Sequence, residues 1–347
     1  VNAILGRPRL RPALITALAL IALMTPWVIK SSYLLGVLIL GLIWLTLNQS
    51  WNLVLGVSGV WNFGHLALYA VGGYAGGLFS LHTGLSSWIG LLVGGLAAGA
   101  GGVLLAIPSL RLRGIYAALL TFSFAYVIQL VITSDRSGLT GGSFGLTGYH
   151  GLAFGTTDAT AVAHGYYWTA LAVTLVTAAA MLLVTRSPMG LAFVALRENA
   201  PLAAARGISP ITYQVLSFGI SGFFAGLAGA LYAYYFGVIT PTVMGLGPMT
   251  IFVTMMVVGG LGTLSGPFVG TALILAVQTA LEGYPQARLI VLGAVLVAMV
   301  VIMPRGIVDA VGAINRRIER WVAEGEEAED EADDRAGEPV QTMAGRA

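Results

Sequence analysis

Between Val1 and Val308 the chain carries only four acidic residues, Asp135, Asp158, Glu198 and Glu282, and the other 11 of its 15 lie from Asp309 onward. So long a stretch with so little charge cannot dress a soluble surface. A soluble domain carries about 25% charged residues, whereas this chain has 9% and is 57% hydrophobic. The composition specifies an all-α polytopic membrane protein. Windows of about 20 apolar residues give ten expected spans, at 13–29, 33–55, 63–81, 88–107, 114–132, 166–185, 211–236, 248–263, 266–282 and 289–303. The eighth and ninth are short. Leu14 to Ile29 reads as a span rather than a signal peptide, because bulky Trp27-Val28-Ile29-Lys30 follows where a small-residue cleavage site would stand. With both termini cytoplasmic, 14 of the 17 Lys and Arg residues fall inside, leaving Lys30, Arg136 and Arg288 outside. The positive-inside rule selects this orientation.

The transmembrane domain is expected over 1–310, and a cytoplasmic piece over 311–347. In the latter, Ile314, Ile318 and Trp321 recur at helical spacing with Arg316, Arg317 and Arg320 between them. That pattern suits either a short helix on the anionic inner leaflet or a frayed extension. From Glu324 onward the acidic composition specifies disorder.

One segment interrupts the apolar pattern. Arg186, Arg197, Glu198 and Arg206 crowd into 186–210, too many charges for a span. The segment still carries helix signals. Ser187 and Pro188 form a start, Asn199 caps a second helix that tolerates Pro201 in its first turn, and Gly207 with Pro210 ends it. Two short helices at the membrane surface are expected, where a membrane protein meets a soluble one. The longest outer loop, 133–165, is rich in glycine and reads either as plain turns or as a docking or gating surface. Within the spans, Gly72 and Gly76, Gly90 and Gly94, and Gly222 and Gly226 take the small-xxx-small spacing of close helix packing.

Several chemistries are excluded. Lys30 is the only lysine and follows no glycine-rich turn, so the chain has no phosphate loop for ATP. It has no cysteine, and His65, His82, His150 and His164 show no metal-ligand spacing, so no metal site is expected. No nucleophile–base set and no carboxylate dyad lies within the spans, so no catalytic residues are assigned. Its net charge gives no reason to expect a nucleic-acid partner. Glu282, at an outer span end, reads as interfacial. What the spans do hold is neutral and polar: Asn48, Gln49, Asn52, Gln129 and Gln278. Amides at that depth need either helix partners or a wet route. Asn48, Asn52, His65, Gln129 and Gln278 are therefore the candidate pathway residues, and Thr140, Gly141 and Gly142 the candidate outer gate or docking loop.

Three stretches together resemble one family. They are AsnLeuValLeuGly at 52–56 with GlyValTrpAsnPheGlyHis at 59–65 and AlaValGlyGlyTyr at 70–74; LeuThrGlyGlySerPheGlyLeu at 139–146; and the run from Ser187 through LeuArgGluAsnAla at 196–200 and GlyLeuAlaGlyAlaLeuTyrAla at 226–233 to ValGlyGlyLeuGlyThrLeuSerGlyPro at 258–267. In order and spacing they look like the permease subunits of ABC importers for branched-chain amino acids, of LivM type. The resemblance implies a type II-like, ten-helix importer fold in a bacterial inner membrane. It also implies a homologous LivH-type partner, two cytoplasmic ATPases that bind ATP and Mg, and a periplasmic or extracellular binding protein; this chain itself would carry no cofactor. The family's coupling loop maps onto 190–207, with Arg197, Glu198, Ala203, Ala204 and Gly207 as its candidate contacts. Leu191 stands where the family usually has arginine, and Pro201 where acidic residues are common. Relatives of the same design handle urea, short amides or aromatic acids. A stand-alone channel or secondary transporter is the alternative of another class.

Overall fold

A computed structural model describes residues 31–112, 114–156, 158–303 and 306–308. The expected span 13–29 and the segment 311–347 lie outside them. Among the described residues, ten helices follow in order: α1 Ser32–Asn52, α2 His65–Thr83, α3 Ser87–Ser109, α4 Ile115–Thr133, α5 Ala159–Arg186, α6 Pro188–Ala205, α7 Pro210–Phe236, α8 Leu246–Gly259, α9 Gly266–Ala280 and α10 Pro285–Ile302. Six of the described helices are long and apolar enough to cross a membrane: α1 with its continuation to Val57, α3, α4, α5, α7 and the one that includes Ile290 to Ile302. The helix α5 starts well before the expected 166, so the outer loop is shorter than 133–165. Asp158 explains the shift, since its carboxylate caps the Thr160 N–H. Ser31, Ser86 and Ser209 cap α1, α3 and α7 in the same way.

The centre is a tight packing of α2, α3 and α7. Small residues let the backbones touch. A Cβ on Gly72 would lie 2.3 Å from the Gly226 Cα, and one on Gly229 would lie 1.8 Å from the Tyr69 carbonyl. Lipid supplies no hydrophobic drive between helices, so this close approach and its dispersion contacts hold them together. Around the centre, α1 packs on α5, α7 and α9, and α8 packs between α9 and α10. Trp51 of α1 stacks on Phe252 of α8 at 4.3 Å between ring centres.

Two helices are too short to span alone. The 14 residues of α8 extend about 21 Å, against a hydrocarbon core of about 30 Å. Irregular chain precedes α8: Val238–Ile239, then a 3₁₀ turn at Pro241–Met244. Its backbone finds partners inside the protein. Leu146–Thr147 (β1) pairs antiparallel with Val238–Ile239 (β2), and Gln129 Nε2 of α4 donates to the Pro241 carbonyl. Among the described residues, one two-residue ladder thus stands beside the helices.

Gly229→Ala should lower the thermal unfolding midpoint of the detergent-purified protein sharply, since overpacking costs about 1–3 kcal/mol and backbone is the obstacle here. Gly293→Ala in α10, where the new methyl meets open space, should leave the midpoint unchanged or raise it.

Candidate functional site

The polar segment 186–210 folds as expected, into a broken helix at one end of the bundle. Asn199 has non-helical angles, so α6 is two short helices joined at a kink. The Asn199 side chain accepts from the Leu202 N–H and restarts the helix, with Pro201 in its first turn where no donor is needed. Gly207, at φ +86°, closes it, and the Ile208 N–H reaches back to the Ala203 carbonyl. The helix starts at Ser187 and Pro188 as expected, but the Ser187 hydroxyl donates back to the Val184 carbonyl instead of capping α6. Pro210 ends nothing by itself; it is the first residue of α7.

Arg197 ties this surface element to the membrane body. Its Nη1 donates to the Gly56 carbonyl at 2.7 Å, while Nε and Nη2 bond Glu198. The Gly56 carbonyl is available because α1 widens into a π-helical turn at Leu53–Val57, which displaces the regular i→i−4 bonds. The arginine stem lies against Gly59, at φ +72°, where a Cβ would approach the Arg197 Cγ to 2.4 Å. One turn back on α1, Asn52 accepts from the Gly262 N–H and donates to the Thr263 carbonyl, both at 2.8 Å. The hydrogen bonds therefore run from α6 through the end of α1 to the turn between α8 and α9. Phe193 of α6, fully buried, meets Tyr213 of α7 edge-on at 5.8 Å. Beside this lies a cleft of about 410 Å³, bounded by Trp61, Leu112, Arg197, Asn199, Tyr213 and Gln214. Glu198 is 68% exposed, and Ala203 is buried while Ala204 and Gly207 face out. Large apolar side chains, Leu191, Val194 and Leu202, also stand exposed along α6.

The candidate pathway residues are dispersed by the structure rather than gathered. Asn52 is a clip. His65 is fully buried, its Nε2 sharing a 2.9 Å hydrogen bond with the Ser50 hydroxyl and its ring stacked near Phe252. Gln129 supports the 3₁₀ turn. Asn48 Nδ2 bonds Thr271 Oγ1 at 3.2 Å and approaches the Met255 sulfur, whereas its Oδ1 has no partner. Gln278 Nε2 also lacks one, and both amide atoms of Gln49 do. Among these, only Asn48, Gln49 and Gln278 keep unsatisfied amide groups. Among the described residues, no group of three His, Asp or Glu side chains could hold a metal ion.

At the opposite end, Thr140, Gly141 and Gly142 belong to a turn organised by Asp135. That carboxylate accepts from the Ser137 N–H and hydroxyl and from the Thr140 N–H and hydroxyl. These bonds, the Ser137 hydroxyl foremost and then Thr140, hold the Asp135 carboxyl well below the usual carboxylate range. The turn leads to β1, and the loop is fastened further by Tyr149 to the Ala233 carbonyl, by Ser87 to the His150 carbonyl, and by the Tyr166 hydroxyl bridging Leu152 and Tyr234. Glu282 sits at this end too, accepting from the Tyr33 hydroxyl. Sequence reasoning missed the π-helical turn and Tyr213, and quoted Gly262 and Thr263 only within the stretch 258–267, with no role of their own.

Arg197→Ala should speed amide exchange at Ser58 and Val60, whose bonds close the π-helical turn; a half-exposed charge-assisted bond is worth about 1 kcal/mol, so a several-fold change is expected. Because the Asp135 pKa is depressed on folding, the loop's stabilisation is full above the unfolded value of about 3.9 and is lost as the pH falls through the folded one. Limited proteolysis between 135 and 145 should therefore stay constant from neutral to mildly acidic pH in the native chain, and be higher at every pH in that range in Asp135→Ala.

The family model described as branched-chain amino acid transport system, permease component, matches residues 33–300. The chain is 26% identical to the high-affinity branched-chain amino acid transport system permease protein LivM of Escherichia coli over 339 residues, covering 90% of this chain and 78% of that one. It is likewise 26% identical to LivM of Salmonella typhimurium, covering 84% and 73%. LivH of Salmonella typhimurium is 34% identical over 140 residues, 38% of this chain and 45% of that one. No solved structure matches. The chain belongs to the permease component family of branched-chain amino acid transport systems.

Proposed function

We propose that this chain is one permease subunit of an ATP-driven importer that moves branched-chain or other hydrophobic amino acids inward across a bacterial inner membrane. On this reading it has ten spans with both termini in the cytoplasm, and the α6 end faces the cytoplasm. It pairs with a LivH-type permease, two ATPase subunits that carry ATP and Mg, and an external binding protein. The observation that carries the reading is α6 itself. A broken surface helix exposes Leu191, Val194 and Leu202 toward a would-be soluble partner, while Arg197 fastens its inner side to the Gly56 carbonyl. A push on α6 therefore has a short route into α1 and, through Asn52, into the turn between α8 and α9. Such a route suits rigid-body tilting of the spans. Glu198 and Ala204 lie on the exposed side, where an ATPase cleft would cover them. Solute choice rests largely with the binding protein, in keeping with a described interior that is mostly apolar.

The test is a mild-detergent pull-down followed by reconstituted uptake. Recovery of a second permease and of proteins with phosphate loops is expected. In that complex, Arg197→Ala should keep ATP hydrolysis while uptake falls several-fold, since about 1 kcal/mol is roughly a factor of five. Recovery of this chain alone from an active preparation, or unimpaired uptake after deletion of 190–207, would overturn the proposal.

A further inference from the structure

Among the described spans, α4 has an outer face unlike any other. Its inner stripe, Ala117, Ala118, Thr121, Ala125 and Ile132, packs on the bundle, and the rest is exposed. In the middle of α3, α5 and α10 every exposed side chain is apolar, as with Leu92 and Leu96, Leu175 and Leu183, or Val297 and Val300. On α4 the exposed side chains include Ser123 and Tyr126, at the ninth and twelfth of its 19 positions and so near mid-span. Neither hydroxyl has a hydrogen-bond partner among the described residues. By contrast, Thr46, Thr174, Thr177, Thr254 and Thr279 on other spans each donate to the carbonyl four residues back. A free hydroxyl in hydrocarbon is costly, on the order of several kcal/mol against an alkane phase, so lipid is the wrong neighbour for this face.

Spacing names a better one. Tyr116, Leu119, Ser123, Tyr126 and Leu130 are exposed and fall at intervals of three, four, three and four. That is the heptad seam by which two helices pack at a shallow angle, with the small residue at its centre permitting close approach. At the outer end the seam runs on to the turn at Gly142–Phe144, where Phe144 is 92% exposed.

We infer that this face of α4 is the contact surface for the second permease chain, a helix of which lies along the seam and hydrogen-bonds Ser123 and Tyr126. The inference rests on the importer reading above. It commits to a homologous chain, not a second copy, because this chain resembles both LivM and LivH proteins and such a partner would bring comparable helices.

The test uses the complete complex in native membranes. The photoreactive p-benzoylphenylalanine is placed at position 126 of α4 or, as a control, at position 96 of α3, and the adducts are identified by mass spectrometry. Position 126 should yield a covalent product with the second permease, and position 96 only lipid adducts. Independently, Ser123→Leu should reduce the second permease recovered with this chain several-fold while the chain's own thermal midpoint holds or rises. A lipid-facing position would give the same midpoint with undiminished recovery. Lipid adducts alone at 126, a product with this chain's own copy, or full recovery with Ser123→Leu would overturn the inference. In each of those cases recovery of the second permease by the unaltered chain leaves the importer reading standing; its absence there defeats both.

Discussion

A polypeptide in lipid has no solvent to satisfy its N–H and C=O groups, and this chain departs from regular helix in places where it must supply partners itself. The segment from Val238 to Met244 is the clearest case. There, pairing with β1 and the amide of Gln129 supply partners from within the protein. The π-helical turn at Leu53–Val57 is the second case, and its released Gly56 carbonyl is taken by Arg197. The residues that matter most for shape are thus polar residues attached to backbone. The apolar bulk of α2, α3 and α7 gives them a rigid frame.

That division explains why function gathers where regularity fails. The glycine-packed centre offers no freedom to move, because a shift of one helix past another would drive carbonyls into Cα atoms already in contact. The ends are different. At the α6 end, Arg197 of α6 and Asn52 of α1 converge on two short stretches of backbone, 56–59 and 260–263.

Much of this was legible in the residues. The long helices follow from apolar runs, and the broken helix α6 follows from Pro188, Asn199, Pro201 and Gly207, each with a local conformational reason that does not depend on distant contacts. The outer loop was legible only as turns, because its fixed shape depends on Asp135 meeting Ser137 and Thr140 and on pairing with residues some ninety positions away. The polar side chains were the least legible. Asn48, Asn52, His65, Gln129 and Gln278 look alike in a hydropathy profile. Yet Asn52 staples a turn, Gln129 props a 3₁₀ segment and His65 fills a buried aromatic stack. Which of these an amide does is decided by what another helix presents to it, and no periodicity carries that.

The two ends of the bundle are also fastened by different means. At the loop end, strand pairing and the hydroxyls of Tyr149, Tyr166 and Ser87 join the loop to α3, α5 and α7. At the other end, attachment of α6 to α1 comes down chiefly to one guanidinium, and of α1 to the 260–263 turn to one amide. On the importer reading proposed above, a body riveted at one end and latched at the other pivots at the loop end and travels at the latched one.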